Sequence, residues 1–193
     1  MSIPVLRTER LELRPLDAGD LEAMAAGDAA ALARRLGVVF RSPVEPPPLF
    51  GAEIPFYAGR LRRHPEDAGW VAWLASLRSS REAVGVCGLG GGPDRHGLFT
   101  IGYSVYPAHQ GKGYATEAMA SLLEWAFAQQ GAELARATIP VWNTASIRVA
   151  VKLGMTLARR ATSKEVGEVL LYDLPRRRGG GPATLSDTQQ PAR

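Results

Sequence analysis

Two stretches of the chain carry residue types at spacings that suit chemistry. The first, Gln110-Gly111-Lys112-Gly113-Tyr114-Ala115-Thr116-Glu117, joins a strand-like run, Phe99 to Tyr106, to a strongly helical run, Thr116 to Gln130. A turn with two glycines at a strand-to-helix junction exposes backbone N–H groups. The helix that follows adds the positive end of its dipole, roughly half an elementary charge, which makes an anion site suited to phosphate or pyrophosphate. The second stretch, Asn143-Thr144-Ala145-Ser146-Ile147-Arg148-Val149-Ala150-Val151-Lys152-Leu153-Gly154-Met155, opens on an asparagine that can cap a helix. It places the Ser146 hydroxyl in that helix's first turn.

Elements on both sides must position these stretches. Arg10-Leu11-Glu12-Leu13-Arg14 alternates polar and apolar residues as a half-buried strand does. Asp17 or Asp20 caps a helix whose Leu21, Met24 and Ala25 recur at helical spacing, with continuation through Leu32 and Leu36. Residues 37–55 hold Pro43, Pro46, Pro47, Pro48 and Pro55 among Phe40, Leu49 and Phe50, which predicts a semi-rigid surface loop, either connective or a lid over substrate. A short helix over Glu53 to Arg63 follows. Strands at Gly69 to Leu74 and Ala83 to Leu89 flank a turn at Ser79-Ser80-Arg81-Glu82, and Gly90 to Asp94 leads into a strand over Leu98 to Tyr106. Ala115, Ala118, Met119, Leu122 and Ala126 form one helical stripe that stops at Gly131. Leu134 to Val141 is a strand, the Asn143 helix stops at Gly154, and strands near Thr156 to Thr162 and Glu168 to Asp173 close the domain. The order βααβββαβαββ predicts an α/β fold, a mixed, mostly antiparallel sheet of about seven strands flanked by about four helices.

Composition limits the function classes. The 193 residues, 46% hydrophobic and 22% charged, suit one globular domain, here 1–175, with a polar tail over 176–193. The net charge of +4 is concentrated in that tail, where Arg176, Arg177, Arg178 and Arg193 against Asp187 carry +3. A nearly neutral body argues against nucleic acid as a partner. No run of about 18 apolar residues occurs, so neither a membrane span nor a signal peptide is expected. Cys87 is the only cysteine, which excludes an intrachain disulfide, speaks against a metal site, and fits a reducing cytoplasm. Cys87 reads as a small core residue and His109 as a loop-surface histidine.

Taken together, the two stretches resemble the GNAT superfamily of acyl-CoA-dependent N-acetyltransferases, in the branch that includes the ribosomal-protein N-terminal acetyltransferases. The first is similar to its Q/R-x-x-G-x-G/A pyrophosphate loop and the second to its N-x-x-S-x-x-x-x-x-K-L-G-F/M helix. Thr8-Glu9-Arg10-Leu11-Glu12-Leu13-Arg14-Pro15-Leu16 and Ile101-Gly102-Tyr103-Ser104-Val105-Tyr106-Pro107 are typical of the same branch, so the likeness runs from Thr8 to about Leu174. It implies acetyl-CoA as cosubstrate, no metal, and central parallel strands that splay to admit pantetheine. By the same likeness, Tyr103, Ser104 and Val105 pair with pantetheine, while Gln110, Gly111, Lys112, Gly113, Tyr114, Ala115 and Thr116 hold the pyrophosphate. Asn143 and Lys152 are placed beside the cofactor, Asn143 also serving as a plain cap.

The implied reaction is direct attack by a neutral amine on the thioester, with protonation of the departing thiolate. The tyrosine many members place seven positions after the asparagine is Ala150 here. Ser146 is the branch's substitute as acid, or else only a polar residue of a helix's first turn. The glutamate that relatives carry before the Ile-Gly-Tyr run is Thr100, which leaves the base open among Glu45, Glu53, Asp94 and Glu117. Glu117 is also explained by helix N-terminal electrostatics alone. An α-amine of pKa about 7.7 is about one-third neutral at pH 7.5, and a lysine-type amine only about 0.1%, a further ~3 kcal/mol. A carboxylate therefore matters more for the second. The acceptor is a protein N-terminus or a small amine, a homodimer is compatible with the sequence, and the alternative function is a silent acyl-CoA-binding module. Tyr103 and Trp142 receive no chemical step.

Overall fold

Local signals set most of the element boundaries in the computed structural model, which describes residues 3–40 and 50–177. Strands β1 (Leu6–Arg7) and β2 (Leu11–Pro15) pair as a hairpin with Leu6 opposite Leu13. At the start of α1 (Ala18–Ala25), Asp17 accepts from the Asp20 N–H and Asp20 from the Asp17 N–H, a reciprocal capping box. The helix expected to continue through Leu36 is instead two helices. Gly27 takes a left-handed φ of 67°, and Asp28 accepts from the Ala31 N–H to start α2 (Ala29–Leu36). Most of the proline-rich loop, residues 41–49, lies outside the described residues. A 3-10 turn over Gly51–Glu53 then enters α3 (Ile54–Arg63).

The remaining elements are β3 (Ala72–Leu77), β4 (Ala83–Leu89), β5 (Leu98–Val105), α4 (Tyr114–Ala128), β6 (Leu134–Pro140), α5 (Thr144–Lys152), β7 (Thr156–Ser163) and β8 (Gly167–Pro175). The eight strands form one sheet in the order β1-β2-β3-β4-β5-β6-β8-β7. The eighth strand is β1, whose two residues are too short to show alternation. The fifth helix comes from the break at Gly27.

Helices cover both faces of the sheet, and the period-2 alternation of β3 shows why. Trp73 and Ala75 join Phe99, Met119 and Leu122 under α4, whereas Ala72 and Leu74 join Leu21, Met24, Leu32 and Ile54 under α1–α3. With both faces buried, β3 and β4 read as continuous apolar runs. A third cluster, with Ile139, Ala150, Met155 and Leu170, seats α5 on β6 and β8.

Among the described strands, every pairing between neighbours is antiparallel except β5 with β6. That parallel pairing spans only Leu98↔Leu134, Phe99↔Ala135 and Thr100↔Arg136. Beyond it, β5 stays paired to β4 as far as Val105, and β6 to β8 as far as Pro140. The inner edges of β5 and β6 therefore face a widening gap, the splay expected of the central strands.

Candidate active site

The gap opens toward the loop between β5 and α4. Gly111 and Gly113 hold φ values of 76° and 83°, a region that favours glycine. A Cβ on Gly111 would meet nothing within 4 Å, so its backbone conformation, not crowding, calls for glycine. The loop is tied down from behind. Gln110 Nε2 donates to the Val105 carbonyl at 3.0 Å, Lys112 Nζ to the Ala108 carbonyl at 2.9 Å, and Arg10 to the Lys112 carbonyl at 3.1 Å. Glu117 accepts from Thr8 Oγ, from the Arg10 N–H at 2.8 Å and from Arg10 Nε at 2.7 Å, while the Arg10 guanidinium lies 4.6 Å from the Tyr114 ring centre. Burial raises the Glu117 pKa, but these hydrogen bonds outweigh it and hold the carboxyl below its usual range. Glu117 thus clamps the N-terminal hairpin to α4, which goes beyond the helix-end electrostatics expected of it.

Helices α1, α2 and α5 are capped by side chains, Asp17, Asp28 and Asn143, whereas α3 and α4 begin with no side-chain cap, α4 at Gly113; the loop before α4 is the glycine one. The first N–H groups of α4 are left for another partner. They face a cavity of about 560 Å³ lined by Tyr103, Ser104, Val105, Gln110, Gly111, Gly113, Tyr114, Ala115, Thr116, Asn143, Ser146 and Lys152. The structure thereby brings together every expected cofactor-side residue except Lys112, whose ammonium turns back to Ala108. Trp142 and Arg148 line the same cavity, Arg148 one helical turn before Lys152. The i, i+4 spacing that puts those two cations on one helix face was readable in the sequence.

A second cavity, about 420 Å³, lies among β4, β5 and β6 and reaches Phe50, Glu53 and Tyr57. The two cavities share Tyr103, Ser104, Asn143 and Ser146. At that junction Asn143 Oδ1 accepts from the Ser146 N–H and the Tyr103 hydroxyl donates to the Ser146 carbonyl, each at 3.1 Å. Ser146 is thus fixed at both ends of its peptide. Burial holds the Tyr103 phenol above its usual pKa range, so it stays protonated and donating.

The carboxylates separate by location. Asp94 accepts from the His96 and Leu98 N–H groups of its own turn. Glu117 serves the clamp, Glu45 lies outside the described residues, and Glu53 lines the second cavity. His109, expected on the loop surface, is instead buried at 5% exposure. The 3-10 turn Pro107–His109 curls it inward, to 3.2 Å from Glu82 and edge-on to Tyr114. Ala150 is 1% exposed in the third core cluster, and Thr100 lines the second cavity. Cys87 also lines that cavity. Burial pushes its thiol up to about 12, and Sγ donates to the Trp73 carbonyl, which fits a packing role. Among the described residues no group of three or more His, Cys, Asp or Glu could hold a metal ion, and no helix is long and apolar enough to cross a membrane.

Known proteins share this architecture. The family model for the acetyltransferase (GNAT) domain matches residues 10–156. The uncharacterized N-acetyltransferase YjdG of Bacillus subtilis is 29% identical over 157 residues, covering 81% of this chain and 92% of the relative. Among solved structures, the ribosomal L7/L12 alpha-N-protein acetyltransferase RimL in complex with coenzyme A has a TM-score of 0.64 at 20% identity, covering 89% of this chain and 97% of that one. A spermidine N-acetyltransferase SpeG chimera from Vibrio cholerae has a TM-score of 0.61 at 16% identity, covering 86% and 95%. The last two are likenesses of fold. With the family match spanning most of the domain, the chain belongs to the acetyltransferase (GNAT) family and is an acetyl-CoA-dependent acetyltransferase.

Proposed function

We propose that the protein transfers the acetyl group of acetyl-CoA to a primary amine by direct attack, with the donor in the larger cavity and the acceptor in the smaller one. The observation that carries this reading is the meeting of the two cavities at Tyr103, Ser104, Asn143 and Ser146. The pyrophosphate lies against the uncapped start of α4 and the glycine loop, with Arg148 and Lys152 alongside. Pantetheine runs along the open inner edge of β5 at Tyr103 to Val105, and Asn143 hydrogen-bonds its amides.

The acceptor ammonium first gives one proton to a carboxylate or to water. The neutral amine then attacks the thioester carbonyl carbon, forming the C–N bond. Collapse of the tetrahedral adduct breaks the C–S bond, and Ser146 Oγ–H protonates the thiolate while the adduct's own N–H proton restores the serine. Amide, free thiol and one released proton balance the equation. RimL and SpeG by name act on a protein α-amine and on spermidine, both primary amines, and both kinds of acceptor fit this scheme.

Isothermal titration with acetyl-CoA, followed by thiol release over a panel of amines, tests the reading. Saturable binding and amine-dependent thiol release are expected; no binding at millimolar donor refutes it. Ala150 and Thr100, which stand where relatives carry a tyrosine and a glutamate, favour a second reading as an acyl-CoA-binding module without turnover. Tight donor binding with thiol release at the hydrolysis background for every amine would select that one.

A further inference from the structure

The smaller cavity carries a charge pattern of its own. Of the described residues that line it, Glu53 is the sole charged side chain. Tyr57 lines the cavity with it; burial, then the charge of the nearby Glu53, raise the Tyr57 phenol's pKa, so its hydroxyl keeps its proton. Glu53 lies at the cavity's edge, on the 3-10 turn that enters α3. Phe50 and Tyr57 stand beside it as stacked rings, 6.2 Å between centres and 15° apart in plane. Val86, Thr100, Thr138 and Ile139 also line the cavity, and room is left at Gly102, where an added Cβ would meet nothing within 4 Å. One anion, two ring faces and room left at a glycine describe a complementary ligand.

We infer that the acceptor is a small primary amine with a single positive charge and an aromatic or bulky apolar body, and without a carboxylate. Glu53 takes the ammonium, Phe50 and Tyr57 take the apolar body, and Gly102 leaves the space it fills. An acceptor carboxylate would enter a cavity whose described lining offers it no cation. A polyamine would bring further ammonium groups to a single carboxylate. A volume of about 420 Å³ lies within the range of small-molecule sites. The inference rests on the proposed use of this cavity for the acceptor.

The test uses the full chain saturated with acetyl-CoA and compares phenethylamine with phenylalanine, spermidine, ethylamine and a short peptide with a free N-terminus. Phenethylamine is expected to give the highest kcat/KM by about tenfold or more, the scale of burying one apolar ring. Glu53→Gln raises its KM about tenfold, with acetyl-CoA affinity kept. Gly102→Leu cuts kcat/KM for phenethylamine more than for ethylamine, a difference a general loss of fold would not produce. Calorimetric binding of phenethylamine to the coenzyme A complex gives the same ranking without turnover. A peptide or spermidine preferred over phenethylamine, or a Glu53→Gln KM within twofold of wild type, overturns the inference while leaving acetyl transfer intact. Absence of donor binding would instead refute the proposed function and this inference with it.

Discussion

Replacing Glu117 by alanine should loosen the donor loop and destabilise the fold, by an amount the clamp geometry allows to be worked out. The carboxylate accepts from Thr8 Oγ and from the Arg10 backbone, and pairs with the Arg10 guanidinium at 2.6 Å. Hydrogen bonds to a charged acceptor contribute ~1.5–3 kcal/mol each when shielded. The Arg10 side chain is 44% exposed, so its ion pair is discounted to ~0–1 kcal/mol. The Thr8 and backbone bonds end on a carboxylate only 17% exposed and dominate. With water replacing part of what is lost, the net cost is about 2–3 kcal/mol, or a Tm lower by about 4–12 °C for a domain of this size. The sign of the pH dependence follows from the depressed folded pKa. The contribution is complete above the unfolded value near 4.5 and disappears as pH falls through the folded value, so wild type and variant converge in acid. Arg10 also donates to the Lys112 carbonyl, so acetyl-CoA affinity should fall with stability. Circular-dichroism melts at pH 7 and pH 3.5, with titration calorimetry at pH 7, measure all three effects. A Tm loss below 2 °C at pH 7, or one of equal size at both pH values, would refute the reasoning.

Three further outcomes are expected. Ser146→Ala should lower kcat about tenfold or more while acetyl-CoA affinity holds, and unchanged turnover would remove the serine from the proton path. Gly85→Ala places a Cβ 2.3 Å from the Ser104 carbonyl oxygen and should cost about 3 kcal/mol or more, seen as a Tm fall of about 6–12 °C; Gly102→Ala, which meets nothing, should shift Tm by less than about 2 °C. Cys87, its thiol pushed up to about 12 by burial, should resist Ellman's reagent at pH 8 in native buffer and react once guanidinium unfolds the chain; rapid native labelling would contradict its buried role.

The lining of the larger cavity was legible because it is built from backbone and punctuation. Gly111, Gly113, Asn143 and Gly154 announce turns and caps within a few residues of the positions they control, and strand β4 begins and ends at the expected residues, Ala83 and Leu89. What escaped depends on distant partners. The two residues of β1 make a strand only because Leu13 lies opposite Leu6. His109 is buried because Glu82, on another turn, receives it. The Gly27-Asp28 pair that splits the first helix was readable, but the apolar spacing through Leu32 and Leu36 concealed it. Glu53 was one of four candidate bases in the sequence, and only the packing of α3 against the sheet sets it beside the smaller cavity.

The short parallel ladder between β5 and β6 also has a thermodynamic consequence. The sheet is closed over three residue pairs there, and beyond them β5 and β6 do not pair with each other. An extended ligand laid in the gap would bridge β5 and β6, which pair with each other only at one end. Its binding energy then becomes folding energy, growing as RT ln(1 + [L]/Kd), about 2.7 kcal/mol at a hundredfold excess over Kd. On that footing the thermal stability of this protein would report the supply of its own donor.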